Sequence, residues 1–196
     1  MDRLNDKLAM PYYILLEYLL KGEKALIIFT TIRNRYLLEP DLRDEIFIGT
    51  VIFACYDQAI LSLCNLLKSD KDSISLHYFC TLFENQFGDK NELNDFIQDY
   101  INKISNYSNQ IEAIKKIRDK TIAHVDRCHI NDQRKLIINP PITYDDLETI
   151  YGIVGTFIRR VGSQLGFINM ESYSIISYQI LKQRTELVFD MLYKSV

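Results

Sequence analysis

One stretch constrains the fold of this chain more than any other. Residues 46–67 read Ile-Phe-Ile-Gly-Thr-Val-Ile-Phe-Ala-Cys-Tyr-Asp-Gln-Ala-Ile-Leu-Ser-Leu-Cys-Asn-Leu-Leu, with Asp57 as the one charged residue among them. Helical spacing carries apolar side chains around almost the whole circumference, and a helix of that kind must be buried on most sides. Pro40-Asp41-Leu42-Arg43 supplies a start, with proline early and an acid in the first turn. Lys68-Ser69-Asp70-Lys71-Asp72 supplies a stop. The sequence therefore predicts a central helix from Pro40 to about Leu67, the longest of the chain, around which the rest must pack.

The partners of that helix are also helical. Pro11 suits a first turn, so a helix is expected from there to about Leu20, with Gly22 ending or bending it. Helical spacing then resumes from Glu23 to Glu39, where Pro40 discourages continuation. Further helices are predicted over residues 75–85, 92–104 and 108–122. Thr143 with Asp146 three residues on is a helix start, and Leu147, Ile150, Val154, Phe157, Ile158 and Val161 form its apolar stripe up to Gly166. A last helix is expected from about Tyr173 to Tyr193. Residues 125–142 break the pattern: they lack helical periodicity, end in Pro140-Pro141, and form a connection of a length that often signals function. Lys135-Leu136-Ile137-Ile138 could form a short strand there. With 47% hydrophobic residues in 196, and no Gly-, Ser- or Pro-rich window, the expectation is all-α: a compact bundle of six to seven helices forming one domain over 1–196.

Charge and composition exclude several classes. A net charge of -3 is not that of a non-specific nucleic-acid binder, so any contact with RNA must be local. The longest apolar runs are interrupted well short of the roughly 20 residues of a membrane span, and the acidic start lacks the form of a secretory signal. Cys55, Cys64 and Cys80 sit among apolar residues and Cys128 stands apart, which suits reduced thiols in a cytoplasmic protein. Metal-ligand spacing such as Cys-x-x-Cys is missing from the sequence, and no metal or cofactor is expected.

The segment Arg118-Asp119-Lys120-Thr121-Ile122-Ala123-His124-Val125-Asp126-Arg127 lies where an amphipathic helix enters the long connection. Ile111, Ile114, Ile117 and Thr121 share one face, so Arg118 falls at its border, where its stem packs and its guanidinium stays accessible. In an unbroken helix six residues mean a rise of about 9 Å and a turn of roughly 240°. Arg118 and His124 then meet only if the helix frays, which β-branched Thr121-Ile122 favours. Neighbouring cations would lower the His124 pKa and keep it a base near neutral pH. RNA carries its own nucleophile, the 2′-hydroxyl. Cutting it needs a base, a cation for the phosphorane charge and an acid for the leaving oxygen, without an obligatory metal. Arginine and histidine suit those tasks.

These residues resemble the signature of the HEPN superfamily, an Arg followed by a polar residue and, after a short spacer, a His. The form Arg-Asp-Lys-x-x-Ala-His-x-Asp is similar to the abortive-infection AbiU-like branch. So is the upstream stretch from Ala59 to Leu67 followed by Asp70-Lys71-Asp72-Ser73-Ile74-Ser75. The resemblance implies an up-and-down helical core and a homodimer whose two motifs share a cleft. It implies RNA cut without metal to leave a 2′,3′-cyclic phosphate, in a toxin or phage-defence role, often beside an antitoxin or nucleotidyltransferase partner. By motif match Arg118 and His124 are catalytic and Asp119 orients them.

Around that centre, Lys120, Asp126 and Arg127 are expected to support the motif or bind RNA, Asp126 by the branch pattern alone. Lys115, Lys116, Arg134 and Lys135 add positive charge, as a solvated helix face also would. Of the 13 tyrosines and 10 phenylalanines, most are expected in the core. Tyr56 is singled out as a cleft residue, and Asp57 as a buried acid holding Arg118, because an acid in an apolar helix needs a partner. The competing reading is a non-catalytic helical module that binds a partner protein or nucleotide and keeps the motif as a relic.

Overall fold

The computed structural model describes residues 2–39, 46–70, 73–87, 92–119, 142–168 and 176–193. Seven helices are formed among them: α1 (Asp2–Leu38), α2 (Ile46–Leu66), α3 (Leu76–Phe87), α4 (Glu92–Ser105), α5 (Ser108–Ile117), α6 (Tyr144–Gln164) and α7 (Ile176–Tyr193). The fold is all-α, as the periodicity requires. The starting turn proposed at Pro40 and the strand proposed at Lys135–Ile138 lie outside the described residues.

The longest helix is α1, not α2. It runs through Pro11 and Gly22 without a break. Proline inside a helix costs about 3 kcal/mol, whereas fully burying a large apolar side chain stabilises by roughly 1.5–3 kcal/mol. Leu8, Tyr12 and Leu15 flank Pro11 and are each at most 1% exposed, so packing outweighs the local penalty. Gly22 is a packing glycine: a Cβ there would lie 1.9 Å from the Tyr151 hydroxyl and 2.7 Å from the Ser62 Cβ. That hydroxyl donates to the Ala59 carbonyl of α2 at 2.6 Å, so α1, α2 and α6 meet at this point.

α1 packs along α2 in the antiparallel sense, Phe29 against Tyr56 and Gly22 against Ser62. It also lies antiparallel to α6, through Phe29 on Tyr144 near one end and Tyr12 on Phe167 beyond the other. Between them Arg159 of α6 reaches Glu23 at 2.5 Å, and burial raises the Glu23 pKa against the lowering effect of that guanidinium. α4 lies antiparallel to α6 through the stacked pair Tyr100–Phe157 and through Arg160 over Phe96. α7 is tied to α1 by the Arg35–Asp190 ion pair.

α2 buries one face, with Ile52, Ala59, Ile60, Leu63 and Leu66 fully buried, but the central place expected for it falls to α1, which packs against α2, α3, α6 and α7. Contrary to the reading of the apolar runs, Phe47–Leu66 is long and apolar enough to cross a membrane by length and composition alone. Its polar residues are small or uncharged apart from Asp57, so they barely dilute its hydropathy; its buried face packs on α1, α5 and α6, while less than half of the stretch is buried and Phe47 stays 62% exposed. α6 follows the sequence closely. Thr143 accepts from the Asp146 amide at 3.1 Å and donates to its carboxylate at 2.6 Å. The predicted stripe is buried, and Gly166, at φ 72°, ends the helix with the Phe167 amide bonded back to the Gly162 carbonyl at 2.8 Å.

Candidate functional site

α5 carries the motif's first residues. Ile114 and Ile117 are buried and hold the helix against the bundle, while Ile111 is half-buried. The regular helix ends at Ile117, five residues before the predicted limit. The Arg118 amide is shared between the Ile114 and Lys115 carbonyls, and Arg118 and Asp119 continue in a wider, π-type turn. Such local changes of winding occur often at functional sites.

Arg118 stands where the apolar face gives way to solvent, its side chain 31% exposed beside an Asp119 at 58%. Asp119 Oδ1 accepts from the Arg118 Nε at 2.8 Å and from Nη2 at 2.6 Å. This hydrogen bond is the first cause of a raised Arg118 pKa, so the guanidinium holds its charge more firmly than usual. The carboxylate occupies the inner edge of the guanidinium. Among the described residues its outer edge, Nη1 with Nη2, has no partner, and two donors on such an edge match the geometry by which arginine grips phosphate.

The floor beneath Arg118 comes from α2. The Cys64 thiol donates to the Ile114 carbonyl at 3.9 Å, and burial pushes its pKa up to about 11 while Arg118, Lys115 and Lys68 pull it down. Arg118 in turn feels Asp70. The end of α2 and the turn after it thus lie beside the motif. Sequence reading took Lys68 and Asp70 only as turn formers, because nothing local reveals a register between two helices so far apart in the chain.

Tyr56 and Asp57 lie elsewhere. Tyr56 is 3% exposed, packed on Phe29 in the core rather than lining a cleft, and its buried hydroxyl has no hydrogen-bond partner among the described residues. Asp57 is half-buried and desolvation pushes its pKa up to about 6. It does not hold Arg118. The groups from this part of the chain whose charges reach Arg118 are Cys64, about two turns beyond Asp57 on α2, and Asp70, past the helix end, and the carboxylate that grips Arg118 is Asp119. His124, Lys120, Asp126 and Arg127 lie outside the described residues, so their places in the site are not part of this geometry. Lys115 pairs with Glu112 at 2.8 Å. His77 is exposed on α3.

A helical bundle whose short fifth helix closes on an Arg-Asp fork, with the sequence running on to Ala-His-x-Asp, is of the HEPN class. Within that class the chain belongs to the AbiU2 family, whose sequence model matches residues 39–167, well over half of its length. No curated protein and no solved structure matches the chain significantly.

Proposed function

We propose that the chain is a metal-independent endoribonuclease that acts at a cleft shared by two copies, in a toxin or phage-defence setting. The observation that carries this reading is the Arg118–Asp119 fork: a firmly charged guanidinium, anchored along one edge and, among the described residues, open along the other, partly exposed at the start of the family motif. His124 takes the proton of the 2′-hydroxyl, whose oxygen attacks the adjacent phosphorus. Arg118 binds the non-bridging oxygens as charge builds on them. The leaving 5′-oxygen takes a proton, and a 2′,3′-cyclic phosphate remains. Asp119 acts through Arg118, fixing the plane in which its donors lie.

Total RNA incubated with the purified protein in EDTA tests the reading. Cleavage by wild type, lost in His124→Ala and in Arg118→Ala, is the expected result. Intact RNA at every protein concentration overturns it and leaves a non-catalytic HEPN module.

A further inference from the structure

We propose that Lys68, just past the end of α2, is a second phosphate-binding residue of this site, gripping the RNA strand next to the phosphate that Arg118 clamps. This rests on the ribonuclease reading above and adds a contact that the motif does not contain.

The contact between the Cys64 thiol and the Ile114 carbonyl fixes the register of α2 against α5. The helical bond from the Leu67 amide to the Leu63 carbonyl, 2.9 Å, carries the winding past Leu66. Lys68 follows Cys64 by four residues, just past the helix end, as Arg118 follows Ile114, and the influence of Asp70 on Arg118 puts both at the same end of the α2–α5 contact. The surrounding charges agree with that placement. The buried thiol senses Lys68, Lys115 and Arg118 together, and Arg118 senses both Cys64 and Asp70, the residues on either side of Lys68.

These cations are not equally matched. Arg118 is gripped by Asp119 and Lys115 by Glu112. Lys68 is half-buried and makes no hydrogen bond or ion pair with a described acid, although Asp70 is close in sequence. With Arg118 and Lys115 each paired to an acid, Lys68 is the cation of the three without a described counter-ion, and a phosphate can supply one. The alternative role for a lysine here is to complement the negative end of α2. That role stabilises the fold and leaves RNA binding untouched, so the two are separable.

The test is anisotropy of a fluorescein-labelled single-stranded RNA across a KCl titration, in EDTA, on the His124→Ala protein so that the RNA survives. Adding Lys68→Gln is expected to weaken binding roughly five- to tenfold at low salt and to lower the salt slope by about 0.7, one phosphate contact on a single strand. Lys68→Arg should restore both. An unchanged affinity and slope overturns the proposal, as does a lowered melting temperature with binding intact, which marks a helix-end role. If wild type cleaves RNA while Lys68→Gln binds like its parent, this inference alone fails. If the parent protein binds no RNA, it falls together with the ribonuclease reading.

Discussion

In the proposed mechanism the Arg118 side chain has two jobs that lysine cannot combine. Its Nε–Nη2 edge is committed to Asp119, and only a planar fork has a second edge to offer phosphate. Arg118→Lys is therefore expected to lower kcat by about 10²- to 10³-fold, the scale of losing an oxyanion donor, with little change in KM. Steady-state cleavage of a labelled RNA reads this directly, and near-normal kcat would show that the fork is dispensable. Asp57 makes the opposite kind of prediction, one about stability. Its folded pKa, about 6, lies above the ordinary carboxylate value of about 3.9. Between those values the folded state binds the extra proton, so this contribution is fully present below about pH 4 and is lost as pH rises through about 6. Asp57→Asn, which cannot ionise, should melt at a higher temperature than wild type at pH 7, with the gap closing by pH 4. Thermal melts across that range check it, and a gap that widens toward acid would refute the sign. Since Asp57 does not touch Arg118, cleavage should be spared.

At the scale of the helices, legibility followed range. α6 could be read almost to the residue, because its cap, its stripe and its terminal glycine are all local signals. The apolar composition of α2 was plain, but the central position read from it belongs to α1, and less than half of α2's apolar stretch is buried. α1 was misread at Pro11 and Gly22, both local breakers overruled by contacts with residues far along the chain. The position of Arg118 at the border of α5 came from periodicity and its bond to Asp119 is between chain neighbours, whereas its place beside Cys64 and Asp70 rather than Asp57 depends on tertiary register, which no single-chain pattern encodes. The two kinds of helical glycine can be told apart by substitution. Gly22→Ala should destabilise by about 1–3 kcal/mol, since the new methyl meets the Tyr151 hydroxyl and the Ser62 Cβ. Gly152→Ala, exposed on α6 with nothing within 4 Å of the added carbon, should stabilise by about 0.5–1 kcal/mol through helix propensity alone. Urea unfolding measures both, and a neutral Gly22→Ala would mean that α1 does not pack on Tyr151 as described.

For the whole molecule the limiting question is how one motif supplies three chemical roles. Cutting RNA through its 2′-hydroxyl needs a base, a cation and an acid, and one copy of Arg118-Asp119 with His124 brings a single imidazole. Two copies facing one another bring two, so that one can accept the proton while the other donates it. The net charge of -3 acts against loose association of this chain with RNA, so the proposed ribonuclease would have to hold a strand by local cations. A cleft made by two chains has a consequence that a self-sufficient active site lacks: activity per chain must depend on concentration. Specific activity is expected to hold steady while light scattering reports dimer and to fall in step with the dimer fraction as the protein is diluted. Added carrier protein excludes surface losses as the cause. Constant activity per chain down to concentrations at which the protein is monomeric would show that one copy of the motif suffices, with His124 serving in turn as base and acid.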